Sequence, residues 1–530
     1  MSQKLVVENK RWIGYISAPT IDTLSIQTYD FYTGKLVEEQ CHDLVSEEEL
    51  LDEKLDFIRG NYKAVILNVF NYIGTFRLNV RFCMIVGSIL GHKCTRSKIP
   101  FYFISENNLH ITAALIEANY ISAINDKIMI ILIKENELQK LELLRNPNGY
   151  ITSYEETMPF TSSENAEKTC KVLINYSNVK ETIVTNFVST PESKALMKNL
   201  QNYSAAKVKV VQNSFLSNPA KVLFEITKHL INESNNRNFV SEHLHRLLFV
   251  SRRPNAESPE DMLLPKKPFS KSLPAKQECI VPRIYNKFFG SCVVDQYGSV
   301  ALWRDALKEN CHRIKLIFII DKNQNPKLKQ EPIILESIKN LPQKCNEIFG
   351  DSKIAVIGFL DNLSIVCVWD EKIQSYKFLD NWNGLDGKNL FLSFENKRPE
   401  IIDWIPEGDE SATQNPPFIV YNLLQIMSMP SEDIKADPEW GFTVTNDENN
   451  PILLEFENHI GEKKFASPAF LMALLLKDHI KAINAEMRKK PAEFAFCIFN
   501  EFDQETKKRV EGHLQAAAEL KQIQCQFFDA

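Results

Sequence analysis

The sequence predicts an α/β fold, and three observations carry that expectation. Short apolar, β-branched runs alternate with stretches of helical periodicity from Trp12 to about residue 240. A second block with the same alternation begins at Lys353. Between the two, Ser251 to Gln277 holds five prolines among several Ser and Lys, the composition of a loop or linker region with a few β segments.

Each element has a local reason. Trp12 to Ile26 alternates like two strands about a turn near Ala18-Pro19. Ser46 followed by Glu47, Glu48 and Glu49 reads as a capping box that starts a helix running to about Ile58. Tyr62 to Phe70 is an apolar strand, and a helical stretch follows through Ile89. Strands are expected at Ile128 to Ile133, Thr182 to Val188 and Val208 to Gln212, with helices from about Glu192 and Pro219. Further on, Ile314 to Ile320 is a strand and Glu331 to Phe349 suits a helix. Ile354 to Trp369 forms two apolar runs around Asp361-Asn362, a hairpin signature. Ser467 as N-cap and Pro468 at the first helical position open a helix with Phe470, Leu471, Leu474, Leu475, Ile483 and Met487 on one face. A last helix from about Gln504 aligns Val510, Leu514, Ala517 and Leu520.

Composition narrows the function classes. At 530 residues the chain is too long for one core, and about three or four domains are expected. The 44% hydrophobic and 25% charged content is ordinary for a soluble globular protein. A net charge of -6, with cations clustered only briefly as at Lys507-Lys508-Arg509, argues against a nucleic-acid partner. No run approaches the ~20 apolar residues of a membrane span, and the first residues lack the apolar core of a signal peptide. Eleven cysteines without a C-x-x-C pair fit reduced thiols and a cytoplasmic or nuclear address. Glycine totals only 17, about half the usual share of roughly 7%. None occurs between Gly149 and Gly290. Glycine lets a backbone close on phosphates, so a loop-based phosphate site is not expected here.

Several landmarks in order resemble one family. Gly358 to Trp369, Leu390 to Glu395, Trp440 to Asp447, Phe465 to Pro468 and Phe494 to Asp503 resemble the first phosphate hairpin, next strand, β-meander, "SPEE" helix and "VPAYFND" strand of the DnaK-type, seventy-kilodalton heat-shock chaperones. Ile13 to Thr20, Lys63 to Phe70, Leu109 to Leu115 and Ile183 to Pro191 repeat that series in shorter form. Leu247 to Val250, Leu264 to Pro268, Ser272 to Gln277 and Ile317 to Asp321 resemble fragments of the family's peptide-binding β-sandwich. The resemblance implies an actin-like ATPase (ribonuclease-H-like) fold, as one reduced copy plus a second N-terminal half copy, with a small β-sandwich-like module between. The implied bounds are 1–240 for the reduced nucleotide-binding-type domain, 245–335 for the degenerate sandwich, and 352–530 for the second half domain. Too few residues lie between Arg145 and Cys170 for the family's second peripheral lobe.

The implied active site is degraded. ATP hydrolysis on this fold needs amide-lined loops, acids for Mg²⁺ and water, and a cation on the γ-phosphate. The vestigial phosphate-loop positions are Gly14, Thr20, Gly358, Asp361 and Ser364. Where the family has "DLGTT", Ile16 to Thr20 keeps one threonine without the acid, and Leu360 to Ser364 holds Asp361 one place out of register. The second loop falls on Leu132 to Glu137, with two carboxylates where phosphates would lie, and the third loop's paired glycines become Asn186-Phe187. The catalytic lysine would lie near Asn422, yet no lysine occurs between Lys397 and Lys435. Together these departures point to a pseudo-ATPase with no catalytic residues, no bound metal, and ATP with Mg²⁺ only if the family activity survives.

Other patterns read as structural. His243 and His245 lack accompanying ligands at metal spacing. Cys41-His42 and Cys311-His312 are adjacent pairs that a strand would send to opposite faces. Glu47 to Glu53 is a solvated helix face, and Leu263 and Leu264 suit either core or peptide contact. The expected function is that of a degenerate, non-catalytic chaperone-like protein that binds or regulates polypeptide clients or co-chaperones. The alternatives are a functional ATP-dependent folding chaperone with divergent phosphate loops, and a structural scaffold on the actin-like fold. Self-association is open, because a half domain would leave a face to pair with the N-terminal block or another chain.

Overall fold

The computed structural model describes residues 10–529, apart from 47–48, 50–60, 77–78, 98, 136, 160–178, 189, 204–207, 233–235, 242–247, 252–261, 265–272, 285–286, 295–297, 307–309, 322–324 and 407–414. His243, His245 and most of the acidic run from Glu47 to Glu53 lie outside the described residues. The protein is mixed α/β, with several mixed sheets. It forms two compact units: the first holds residues 1–247, 268–276 and 319–327, and the second holds the remainder.

Two sheets organise the first unit. One contains β1 (Trp12–Ser17), β2 (Thr23–Asp30), β3 (Leu36–Asp43), β4 (Tyr62–Asn68) and β5 (Phe101–Phe103), in the order β3-β2-β1-β4-β5. β1 to β3 run antiparallel as a meander, whereas β4 lies parallel to β1 and β5 parallel to β4. Helix α1 (Asn79–Ser97) joins β4 to β5, and α2 (Glu106–Ala118) leads to the second sheet. There β6 (Lys127–Ile133), β7 (Glu137–Asn146), β8 (Gly149–Pro159), β9 (Glu181–Asn186) and β10 (Val208–Val210) repeat the plan, in the order β8-β7-β6-β9-β10 with the same senses. Helix α3 (Pro191–Tyr203) joins β9 to β10. Helix α4 (Pro219–Ile231) turns back onto the first sheet, where Val222, Leu223 and Ile226 pack with Ile13, Tyr15 and Ile66.

Local chemistry sets the boundaries. Ser46 and Glu49 make the expected reciprocal capping box, each side chain accepting the other's backbone N–H. Ser105 caps α2 by accepting from Asn108 N–H, and Asn119 closes it in the left-handed conformation.

The second unit holds most of the β-rich strands and a third α/β sheet. β11 (Leu248–Ser251), β12 (Met262–Leu264), β14 (Lys287–Val294) and β15 (Gly298–Ala306) form one sheet, in the order β12-β11-β14-β15. β13 (Ala275–Pro282), β16 (Arg313–Ile320) and β17 (Pro326–Ile333) form another, in the order β13-β16-β17. Helix α5 (Leu341–Phe349) precedes the third α/β sheet. That sheet contains β18 (Ala355–Leu360), β19 (Leu363–Asp370) and β20 (Ser375–Phe378), with β21 (Lys388–Asn389) beside β19. Its insertion carries the short strands β22 (Phe391–Ser393), β23 (Glu400–Ile402) and β24 (Ile419–Val420) and the meander β25 (Thr443–Thr445), β26 (Leu453–Glu457) and β27 (Lys463–Ala466). Helix α6 (Pro468–Met487), β28 (Glu493–Ile498), α7 (Gln504–Glu519) and β29 (Gln524–Phe527) complete the unit. The main path is again β20-β19-β18-β28-β29, antiparallel through the first three strands and parallel through the last two pairings.

Three sequence expectations need correction. Residues 331–333 end β17, and the helical stretch divides into Glu336–Lys339 and Leu341–Phe349 around Asn340. Pro342 within the first turn of α5 accounts for the break, since proline is tolerated at a helix start and not inside one. Phe470 is 49% exposed and Leu520 56% exposed, so neither belongs to its helix's buried face. Met472, Leu476 and His479 are buried on α6 instead.

Gly149 begins β8 at φ +130°, where an added Cβ would lie 2.5 Å from the carbonyl oxygen of Phe239. Gly149→Ala therefore combines backbone strain with a backbone clash and is expected to destabilise the first unit by about 3 kcal/mol, read as a lower midpoint in urea unfolding.

Candidate functional site

In the first unit the parallel strands β4, β6 and β9 end at Asn68, Ile133 and Asn186, the kind of edge where open α/β sheets bind ligands. The side chains gathered there engage one another. His110, buried on the first turns of α2, has Nδ1 2.5 Å from Asn213 Nδ2, which also donates to the Asn186 carbonyl at 2.7 Å. Nδ1 therefore accepts, and Nε2–H faces Glu106 at 4.0 Å. The Phe187 ring lies tilted at 37° against the His110 ring with centroids 4.0 Å apart, and Lys134 Nζ lies over the Phe187 ring, 5.3 Å from its centroid. Lys134 also pairs with Glu137 at 2.9 Å. Asn68 donates to the Tyr15 hydroxyl at 3.3 Å, and burial keeps that phenol protonated far above its ordinary range.

Gly14 and Thr20 do not join this cluster. Gly14 lies inside β1, opposite Thr28 and Val65, and a Cβ there would make ordinary contact with the Tyr62 ring at 3.4 Å and Val65 at 3.5 Å. Thr20 is in the β1–β2 turn, where its Oγ1 accepts the N–H groups of Thr23 and Asp22 at 3.1 and 3.3 Å.

The second unit presents the matching hairpin tip. Asp361 occupies the left-handed region at φ 50°, which the two-residue turn requires. Arg313 grips its carboxylate with two parallel bonds, Nε to Oδ2 at 2.8 Å and Nη2 to Oδ1 at 3.0 Å. Asn500 donates to Oδ1 at 3.0 Å and accepts the Asp361 N–H at 2.9 Å. Asn422 also has positive φ, 57°, and its N–H donates to Asn362 Oδ1 at 2.8 Å. Gly358 lies inside β18, where a Cβ would meet the Phe499 ring at 2.6 Å, so its smallness serves packing.

Ser364 is fully buried on β19. Its Oγ lies 2.8 Å from His479 Nε2 and accepts from Trp382 Nε1–H at 3.0 Å. His479 Nδ1 lies 2.9 Å from the Leu475 carbonyl, so Nδ1 carries the proton and Nε2 accepts from Ser364. Burial brings the His479 pKa down to about 4, and the imidazole is neutral.

These groups are each engaged within the protein. Asp361 is bidentate to a guanidinium, Thr20 Oγ1 serves its own turn, and Phe187, just after β9, packs its ring against His110. Among the described residues no group of three or more His, Cys, Asp or Glu could hold a metal ion. Cys41 and His42 are adjacent on β3, and both ring nitrogens of His312 are engaged away from Cys311. Leu263 and Leu264 are buried as core. Among the described residues no helix is long and apolar enough to cross a membrane. Sequence reasoning missed His110, Asn213, Arg313 and His479, because each acts through a partner far away in the chain. The chain matches no family model and no curated protein.

The His479 network makes two expectations. Ser364→Ala strands the Trp382 N–H and should cost about 2 kcal/mol in urea unfolding. The folded pKa of His479 lies below the unfolded value of 6.5, so its contribution is complete above pH 6.5 and is lost as pH falls toward 4. By pH 4 the loss reaches about 3 kcal/mol. Unfolding midpoints at pH 7.5, 5.5 and 4.5 should fall more steeply for the wild type than for His479→Gln.

Proposed function

We propose that this chain is a reduced relative of the actin-like ATPases of the heat-shock-seventy type, that it does not turn over nucleotide, and that it works by binding other polypeptides. The threefold recurrence of one strand order supports the fold reading: two sheets form a reduced copy and the third a half copy. The observation that carries the pseudo-ATPase reading is the Arg313–Asp361 fork. At a hairpin tip where the family would present an acid to Mg²⁺ and phosphate, the carboxylate is committed to a guanidinium. The polypeptide-binding role follows from the resemblance of the β-rich strands to a peptide-binding sandwich. With Leu263 and Leu264 in the core, the exposed Ile280 on β13 is the better peptide contact. A cytoplasmic address agrees with this role.

Titration with Mg-ATP and Mg-ADP by calorimetry, with thermal shift alongside, tests the reading. The expected outcome is no heat and no stabilisation at millimolar nucleotide. A ligand present at one hundred times its Kd would add about 2.7 kcal/mol, a plain shift in Tm. Nucleotide binding with turnover would replace this proposal by a working chaperone with divergent loops. Concentration-dependent oligomers that ignore unfolded polypeptides would replace it by a scaffold.

A further inference from the structure

Within the second unit, side chains at the ends of β13 and β16 grip the third α/β sheet at three points. Arg283, just after β13, is buried, and its Nη1 and Nη2 donate to the carbonyls of Cys311 and Gly387 at 3.0 Å each. His312, fully buried before β16, lies with Nε2 2.8 Å from the Leu385 carbonyl. Its Nδ1 accepts the Leu335 N–H at 3.0 Å. An amide N–H can only donate, so Nδ1 must be bare and the ring must be the neutral Nε2–H tautomer. Arg313 follows, forked on Asp361 at the β18–β19 tip.

We propose that Arg283, His312 and Arg313 form an acid-released latch, which holds the β-rich strands on the α/β sheet while His312 is neutral and lets go when His312 is protonated. Protonation would turn Nδ1 into a donor aimed at the Leu335 N–H, and two donors cannot share that contact. The charged groups around the ring oppose or favour the imidazolium in known directions. Arg283 opposes it and Asp386 favours it, the Cys311 thiol is kept neutral by burial, and Arg313 and Asp361 neutralise each other, with Glu501 facing Arg313. Burial, only partly offset by donation to Leu385, makes the latched ring a weaker base than a free histidine. The latch is therefore at full strength above pH 6.5 and loosens as pH falls below it. This inference does not rest on the family reading.

The test is hydrogen exchange on the full-length chain from pH 7.5 to 5.0, corrected for the intrinsic pH dependence of exchange. Peptides covering Leu335 and 385–390 are compared with β28 as an internal control. In the wild type the opening constant of the first set should rise as pH falls below 6.5, by at most about tenfold per pH unit and by more than the rise His479 gives β28. In His312→Gln, which lacks the titrating ring, the excess of that rise over the rise in β28 should vanish. Unchanged protection in the wild type, or the same slope in His312→Gln, would overturn the latch. Should His312→Gln fail to fold, Arg313→Gln decides. Its protection should be weaker at every pH with the slope retained, and loss of the slope would assign the pH dependence to Asp361 and Arg313 and sink the proposal.

Discussion

A strand with an antiparallel neighbour on one edge and a parallel neighbour on the other constrains everything else in this protein. The antiparallel side can be closed by a tight hairpin, but the parallel side needs a crossover that returns over a face of the sheet. Both faces of the first strand are then covered, so it must be apolar throughout. Ile128 to Ile133 and Ala355 to Leu360 meet that demand with every residue buried, and Ile13 to Ile16 does so in a shorter run. The crossovers differ in what they carry. From β20 to β28 the chain adds the β22–β24 sheet, the β25–β27 meander and α6 before it returns, and Leu454, Phe456, Leu471 and Leu475 extend one core through that insertion.

The same constraint places the chemistry. The hairpin after each first strand turns at the end where the parallel strands also finish, so tips and crossover starts converge there. What the tips carry then decides whether a ligand can approach. A glycine tip would leave bare amides. Here Asp361 and Asn422 hold positive φ without glycine, which Asp and Asn tolerate through their short polar side chains. Such residues solve the turn and fill the space beside it. Asp361 fills it with a carboxylate that Arg313 neutralises, and the backbone N–H of Asn422, at the start of the Leu423–Ser428 helix, donates to the Asn362 side chain. Scarcity of glycine thus shows as tips closed by side chains, not as missing turns.

Much of the architecture was legible because it is written in local patterns. The β18–β19 hairpin, the Ser467 cap, Pro219 opening α4 and the apolar strands at Tyr62, Lys127 and Glu181 each follow from a few neighbouring residues. The strands that escaped notice are those whose partners supply the pattern. β3 is almost wholly exposed and shows no apolar alternation, while β7 and β8 mix buried Leu, Tyr and Thr with charged residues along long hairpin arms. The site was less legible for a similar reason. Asp361 could be singled out from its turn, but Arg313 stands 48 residues away and carries no motif. His479 reads as one more position on an apolar helix face until Ser364, 115 residues earlier, is brought beside it.

That Ser364–His479 contact shows how far geometry alone can mislead. A hydroxyl 2.8 Å from an imidazole nitrogen is the arrangement of a nucleophile and its base. A working pair, however, needs a proton path, an oriented base and room for a substrate at the hydroxyl. Here Nδ1 is committed to a backbone carbonyl of its own helix, the second lone pair of Oγ accepts from an indole, and both side chains are sealed from solvent. Nothing could reach Oγ without unfolding β19 from α6. A buried polar group must be satisfied or it costs stability, and satisfaction within the core is a sufficient reason for these three residues to meet. The same logic applies to the hairpin tip at Asp361, where Arg313 and Asn500 satisfy the carboxylate from within the chain.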